Sequence, residues 1–277
     1  MNKSAFKRSG AINSAVLWQG KSEIDGAPIA LIAIVNSSNR KTGGMMQTYI
    51  IRSDMPPIEA NRIGADYSIC GDCHLRGVVD PTKETGLALE RGCYVNLGQG
   101  ATIVYKTFDK SGYPRLVDCY GSTYSKMNYD QLLAAYGANQ NIRCGTYGDP
   151  LAVPYWVWRA LLSKASNWTG YTHQFNAIKT VGEKLTASNF CMISADTLTE
   201  AQKHWREGRR TFRTVINTAA IDPANEIICP ATKEGGQKTT CEHCNLCAGS
   251  SISAKNIAAV VHGSGAKHAS SSIIARG

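Results

Sequence analysis

The sequence lacks any apolar run long enough to cross a membrane. A spanning helix needs roughly 18 consecutive apolar residues, whereas the longest apolar stretch near the start, residues 28–35, has the length of a strand. Residues 1–8 lead into no apolar core of the kind that a secretory signal contains. These absences predict a cytoplasmic protein that has no membrane partner.

Charged residues are also scarce. They make up 18% of the chain against 43% hydrophobic residues, a balance that excludes an intrinsically disordered protein. No repeat, low-complexity tract or obvious linker divides the 277 residues, so length alone leaves one domain or two open. We distinguish residues 1–100 from a barrel-like part at residues 101–277, and expect the two to form one compact unit.

The first region combines strands with an irregular segment. Two β-rich runs, residues 29–35 and 48–52, flank a turn-forming stretch and predict a hairpin. Residues 63–100 lose this periodicity. Because Cys70, Cys73 and Cys93 lie inside that segment, we expect a loop held by something other than a hydrophobic stripe.

From about residue 141 the chain alternates short apolar runs with helical patterns, which is typical of β-α units. The runs are residues 142–147, 168–173, 190–195, 211–216, 226–230 and 257–262. Helices are predicted over residues 153–161 and 199–210, the second after a capping-box pattern at residues 197–200. The pattern predicts an α/β fold, a complete or partial (β/α) barrel with a β-rich N-terminal part and a C-terminal cysteine metal site. We expect residues 263–272 to be a mobile tail.

The most specific local signal is a set of four cysteines within residues 229–247. In a reducing compartment, thiols more often meet metals than form disulfides. Two-residue spacers let a tight turn direct successive sulfurs at one ion, so this segment predicts a metal-binding insertion. Zinc is the simplest occupant, an iron-sulfur cluster is the alternative, and spacing does not decide between them. The predicted ligands are Cys229, Cys241, Cys244 and Cys247.

A second candidate metal set is Cys70, Cys73 and Cys93. The two-residue spacer between the first pair fits a metal-binding loop, but only three thiols are evident. Either His74 completes a structural site or one coordination position stays open. Free thiols are the simpler alternative.

Polar residues that end the predicted strands are the candidate catalytic groups. In parallel α/β folds, chemistry takes place at the carboxyl ends of the strands. Asp149, Asp196 and His173 stand there, and two aspartates on one rim could serve as nucleophile and as general acid or base. Alternatively, Asp149 fixes a turn and Asp196 caps the helix that follows it.

Basic residues are concentrated in residues 203–213, in a chain whose net charge is +9. Clustered Lys and Arg residues with aromatic neighbours suit phosphate contact and base stacking, and a solvated helix face is the alternative. The predicted nucleic-acid contacts are Lys203, Arg206, Arg209, Arg210 and Arg213.

Several motifs together resemble a family of mostly uncharacterised bacteriophage and prophage proteins. They are SICGDC at residues 68–73, GCYVNLGQG at 92–100, GTYGDP at 145–150, GYTHQ at 170–174 and CEHCNLC at 241–247. The resemblance runs from about residue 36 onward. It implies a phage origin, and hence the cytoplasm of an infected bacterial host.

More distantly, strand-end aspartates followed by a cysteine metal site resemble the tRNA-guanine transglycosylase superfamily, which includes phage enzymes that place 7-deazaguanine bases in DNA. The superfamily's zinc motif is Cys-x-Cys-x-x-Cys with a later His, whereas this chain has Cys-x-x-Cys-x-x-Cys with an upstream cysteine. The resemblance implies a barrel, Asp149 and Asp196 as the two carboxylates, a structural zinc, and DNA or RNA and a modified purine base as partners.

A third likeness suggests a different chemistry. The turn at residues 148–150 (GDP) resembles the Gly-Glu-Pro turn of radical S-adenosylmethionine enzymes, which are partial barrels, although their Cys-x-x-x-Cys-x-x-Cys motif is absent. The strand-end aspartates and the cysteine site lead us to predict a phage-encoded base-exchange transglycosylase, and two alternatives stay open. One is an iron-sulfur modification enzyme, and the other is a zinc-binding module that recognises nucleic acid or a host protein without catalysis.

Overall fold

The computed structural model describes residues 14–35, 39–178, 181–249 and 253–276. The strands are β1 (Ser14–Lys21), β2 (Pro28–Ile34), β3 (Met46–Arg52), β4 (Asn141–Tyr147), β5 (Asn167–Thr172), β6 (Met192–Ala195), β7 (Thr211–Val215), β8 (Glu226–Ile228) and β9 (Asn256–Val260). The α-helices are α1 (Pro57–Arg62), α2 (Tyr67–Cys70), α3 (Thr102–Asp109), α4 (Tyr129–Gly137), α5 (Tyr155–Leu162), α6 (Val181–Phe190), α7 (Leu198–Arg206), α8 (Cys241–Cys244) and α9 (Ala266–Arg276). None of these helices in the described ranges has the length and apolarity that a bilayer crossing requires.

All nine strands belong to one sheet, in the order β1-β2-β3-β4-β5-β6-β7-β9-β8. Strands β1, β2 and β3 pair antiparallel, and every pairing from β3 onward is parallel. The mixed α/β class, the β-rich N-terminal part and the β2–β3 hairpin are thereby confirmed. The described strands form an open sheet with β1 and β8 at its edges.

The sheet also joins the two regions that the sequence distinguishes. Met46 of β3 pairs with Ile142 of β4, so a strand of residues 1–100 lies directly beside a strand of residues 101–277. Strand β2 lies between β1 and β3, and every residue from Ile29 to Ala33 is fully buried. Its continuous apolar run is what a strand covered on both faces needs.

The two faces of the parallel part have different environments. In β4, Ile142 and Cys144 belong to the main hydrophobic core, which also contains Trp158 of α5. The alternate residues Arg143 and Gly145 line a cavity on the opposite face. Because side chains alternate along a strand, this pattern places helix packing on one side and the cavity on the other.

The C-terminal segment corrects one expectation. Residues 263–272 are predicted to be a mobile tail, but helix α9 begins at Ala266, and its Ala269 is buried. The helix packs closely on Gly92, where an added Cβ would come within 2.8 Å of the Ala269 backbone. The serine-rich sequence shows no apolar stripe from which this helix could be predicted, because the contact between Ala269 and Gly92 depends on small residues.

Candidate functional site

A cavity of about 440 Å³ lies where the carboxyl ends of β4, β5 and β6 meet the cysteine-containing loop that follows β3. This volume is in the range of small-molecule binding pockets. Helix α9 contributes Ala269 and Ile273 to its wall. The pocket therefore occupies the edge of the sheet at which parallel α/β folds bind ligands.

The first cysteine loop is held over the strand ends by backbone contacts. The amide of Asp149 donates to the carbonyl of Ile69 at 2.6 Å, and Gln174 Nε2 donates to the carbonyl of Cys70 at 3.1 Å. Gly71 has a φ of 51°, and any side chain there would overlap the Gln174 amide. The loop is thus bound to the ends of both β4 and β5.

Three thiols from this loop region line the pocket, namely those of Cys70, Cys73 and Cys93. Cys93 is held by its amide, which donates to the carbonyl of Leu75 at 3.0 Å. Burial raises the pKa of the Cys70 thiol well above its usual range and raises that of Cys93. At Cys70 and Cys93, burial favours the neutral thiol because it penalises the thiolate.

Beside the thiols, His74, His173 and Asp196 form a compact group. Nδ1 of His74 lies 2.9 Å from Asp196 Oδ2, and Nε2 of His173 lies 3.4 Å from Asp196 Oδ1. In the described part of the chain, this is the only set of three such side chains whose candidate ligand atoms all lie within 4.8 Å of one another. The structure thus brings two of the predicted catalytic residues together.

The electrostatics of this group follow from its contacts. Burial alone would raise the pKa of Asp196, but hydrogen bonds from His173 and His74 hold it well below its usual range. Burial alone would lower the pKa of His173, yet the neighbouring Cys73 and Asp196 outweigh burial and raise it well above its ordinary value. The guanidinium of Arg276, in α9, lies 3.6 Å from Asp196 and adds a positive charge beside this carboxylate.

The third predicted catalytic residue, Asp149, has a different environment. Its Oδ1 accepts a hydrogen bond from the Leu151 amide at 3.0 Å, and its Oδ2 accepts from Thr172 Oγ1 at 3.1 Å and the His173 amide at 2.8 Å. Burial raises the pKa of this carboxyl group. Asp149 therefore fastens the turn after β4 to the end of β5, which is the turn-fixing alternative considered above.

No family model, curated protein or solved structure matches this chain. Its chemistry is consequently inferred from its own side chains.

The four C-terminal cysteines lie between β8 and β9. Cys229, Cys241 and Cys247 are buried in one small apolar cluster, and Cys244 is half-buried. All four are free thiols, and no three of them approach within 4.8 Å of one another. The predicted ligands thus share one neighbourhood without forming the tight sulfur tetrahedron of a single zinc ion.

The predicted nucleic-acid contacts fall into two groups. Arg213 is buried and paired with Glu226 at 2.6 Å, and Arg210 donates to four backbone carbonyls in residues 246–255. Their guanidinium groups are occupied within the protein. Lys203 and Arg206 are exposed on α7, while Arg209 is half-buried, paired with Glu207 and placed over the Phe175 ring.

Sequence reasoning missed two residues of the pocket wall, Arg143 and Tyr147. Arg143 is buried, its Nη2 donates to the Tyr94 hydroxyl at 2.8 Å, and its guanidinium lies 5.5 Å from the centre of the Tyr171 ring. Tyr147 is buried, and its hydroxyl has no hydrogen-bond partner among the described residues. The position of Arg143 inside an apolar strand run could have indicated its role from the sequence.

Proposed function

We propose that this protein is an iron-sulfur enzyme whose pocket cluster is bound by Cys70, Cys73 and Cys93. The observation that carries the proposal is that these three thiols line one cavity at the carboxyl ends of the parallel strands. Cysteine thiolates are the usual ligands of iron-sulfur clusters. Cys70, Cys73 and Cys93 would hold the cluster, and with three protein ligands a four-iron cluster would leave one iron available to a substrate or cosubstrate.

Sulfur spacing favours a cluster over a single ion. A tetrahedral zinc with Zn–S bonds of about 2.3 Å holds its sulfurs only about 3.8 Å apart. The three pocket thiols do not form a group within 4.8 Å of one another. Ligands of a cluster bind different iron atoms, so their sulfurs lie further apart than the ligands of one ion.

Two buried polar atoms in the pocket have no hydrogen-bond partner among the described residues, and a bound cluster or substrate could supply one. The Tyr147 hydroxyl is buried without a partner among the described residues, and Cys70 and Cys93 are among its electrostatic neighbours. Nε2 of His74 is buried and likewise lacks a described partner. A buried donor without a partner costs free energy, which a bound sulfide or substrate atom would offset.

The order of the strands resembles that of a partial (β/α) barrel, which is the fold of radical S-adenosylmethionine enzymes. Strands β3 to β7 are parallel neighbours in chain order, as in a partial (β/α) barrel. The cysteine loop follows the first of them, and the Gly148-Asp149-Pro150 turn follows the second. A cluster bound there would supply an electron to S-adenosylmethionine, while the protein's own groups position the substrate and exclude water.

The group formed by His74, His173 and Asp196 is the polar wall of this active site. Its two imidazoles and one carboxylate can bind or orient a polar substrate atom. Asp149 acts as a positioning residue, because it holds the His173 backbone rather than facing the cavity with a free carboxylate oxygen.

The test begins with anaerobic purification and reconstitution with iron and sulfide. With dithionite as the electron donor and solvent as the proton source, the wild-type protein should reductively cleave S-adenosylmethionine to methionine and 5′-deoxyadenosine. The variant C70S/C73S/C93S should lose this activity. C119S is the matched control, since the Cys119 thiol contacts the Arg115 carbonyl at 3.5 Å and a hydroxyl preserves that contact. Cleavage that persists in the pocket variant would refute the proposal.

A second candidate function rests on the tight group of His74, His173 and Asp196. Two histidines and one carboxylate are the ligand set of mononuclear non-haem iron sites. In that case, D196N would abolish binding of a single ferrous ion, whereas the pocket cysteine variant would still bind it. A colourless protein that contains zinc and no iron would instead favour base exchange by a transglycosylase.

A further inference from the structure

The four cysteines between β8 and β9 are not used by the pocket. We propose that Cys229, Cys241, Cys244 and Cys247 bind a second iron-sulfur cluster, through four protein thiolates. This site shares no cysteine with the pocket, and the proposal does not depend on the function proposed for the pocket thiols.

Backbone contacts from separate segments hold the four residues. The Cys229 amide donates to the Ala258 carbonyl at 2.7 Å, and the Cys241 amide donates to the Lys41 carbonyl at 2.9 Å. The carbonyl of Cys247 accepts from the Gly170 amide at 3.3 Å. The thiols are therefore carried by a segment that is fastened to β9, to the loop before β3 and to β5.

Local conformation suits a metal-binding turn. Helix α8 is a single turn that carries Cys241 and Cys244, and it ends at Asn245 in the left-handed conformation, with φ at 59°. This reversal lets the chain bring Cys247 back toward the helix. The Glu242 side chain accepts a hydrogen bond from the Gly44 amide at 2.8 Å, which fixes the outer face of the turn.

The chain between the first two cysteines is largely polar. Residues 233–240, which make up most of the connection from Cys229 to Cys241, have the sequence KEGGQKTT and offer no apolar side chain. Three of the four thiols are nevertheless buried, at 7% to 8% exposure. A polar segment that brings cysteines together in this way is typical of a metal site.

A buried positive charge, that of Arg143, is an electrostatic neighbour of Cys241. Arg143 is 9% exposed, and its described side-chain partners are the Tyr94 hydroxyl at 2.8 Å and the Tyr171 ring at 5.5 Å, neither of which is a carboxylate. Cys241 is among its electrostatic neighbours, and Tyr171, whose ring it faces, hydrogen-bonds to Cys247. A buried cation needs a counter-charge, and an anionic thiolate cluster would supply it.

The same distance criterion separates iron from zinc at this site. Sulfurs that share one zinc lie about 3.8 Å apart, and no three of these four thiols lie within 4.8 Å of one another. A multi-iron cluster accommodates a wider spacing than a single ion does, because each thiolate binds its own iron.

The test compares iron and acid-labile sulfide per chain after anaerobic reconstitution of the full-length protein. The variants are C70S/C73S/C93S, C241S/C244S/C247S and the control C119S. We expect C119S to match the wild-type protein and each triple variant to contain about half of its iron. Wild-type iron content in C241S/C244S/C247S would overturn the second cluster, as would zinc in place of iron.

A milder variant removes any ambiguity from misfolding. The variant C241S/C244S leaves only two thiolates at the site, and its serines nearly keep the size of the side chains that they replace on helix α8. Added to the pocket variant, it should remove the remaining visible absorbance while circular dichroism stays unchanged. Retained absorbance would overturn the proposal. If the pocket variant itself contains no iron, the second site is refuted and the pocket cluster stands; if it keeps all wild-type iron, the pocket cluster is refuted instead.

Discussion

At the scale of single residues, Gly148 determines how the turn after β4 approaches the cysteine loop. Its φ is 86°, and an added Cβ would come within 2.7 Å of Cβ of Ile50 and 3.2 Å of the Ile69 carbonyl oxygen. Only glycine adopts this conformation without strain and leaves room for the neighbouring strand. The turn can therefore deliver the Asp149 amide to the Ile69 carbonyl.

Replacing Gly148 by Ala should lower the free energy of unfolding by about 2–4 kcal/mol, because a left-handed conformation and overpacking both add cost. Urea denaturation measures this change. G26A is the matched control, since Gly26 has a φ of 79° and nothing lies within 4 Å of its added Cβ. Equal losses in the two variants would show that crowding at Gly148 has no effect.

Asp149 gives a second prediction at this scale. D149N should lower the free energy of unfolding by about 1–3 kcal/mol, because an amide cannot accept all three hydrogen bonds that the buried carboxylate accepts. D130N is the control, since Asp130 forms an exposed pair with Arg159 at 3.6 Å, and such pairs contribute about 0–1 kcal/mol. Unchanged stability in D149N together with lost activity would favour a catalytic role instead.

At the scale of elements, apolar runs predicted most of the sheet. All six runs after residue 141 contain strands, and the β2–β3 hairpin was predicted too. Strand β1 was missed because it lies at an edge, where its burial pattern is mixed. Helix α9 was missed because its packing depends on the close approach of Ala269 to Gly92, which no periodicity encodes.

This close approach can be tested directly. In G92A, the new methyl group would come within 2.8 Å of the Ala269 backbone and push α9 away from the pocket. We expect hydrogen exchange in α9 to accelerate roughly 10- to 100-fold, as overpacking of about 1–3 kcal/mol implies. In G182A, where nothing lies within 4 Å of the added Cβ, exchange in α9 should not change. Unaltered exchange in G92A would show that α9 does not depend on this contact.

At the scale of the whole molecule, sequence reasoning predicted candidate groups but not their arrangement. Spacing predicted both cysteine sets as ligands, and the strand-end rule predicted His173 and Asp196 as site residues. It could not show that His74 joins them, because that contact brings a loop after β3 against the end of β6. Nor could it show that Arg210 and Arg213 are buried, since the partners of each guanidinium are distant in the chain or lie on another strand.

The net charge of +9 retains DNA as a predicted partner, with Lys203 and Arg206 as the exposed contacts. K203Q/R206Q should weaken DNA binding uniformly across sequences and reduce the slope of log affinity against log salt by about 2, because each phosphate contact contributes about 1. Fluorescence anisotropy over a salt series measures this slope. The control K164Q/K233Q removes the same charge elsewhere and should reduce the salt slope by less than K203Q/R206Q does. Equal reductions would indicate that DNA is attracted by the net charge rather than by this helix.

The central claim is that Cys70, Cys73 and Cys93 bind an iron-sulfur cluster in the pocket. Its most direct test is the iron and sulfide content and visible spectrum of anaerobically purified wild-type protein beside C70S/C73S/C93S. We expect a brown wild-type protein and a variant that contains less iron and sulfide by the content of one cluster, about four atoms of each. A colourless wild-type protein, or a pocket variant with undiminished iron, would contradict it.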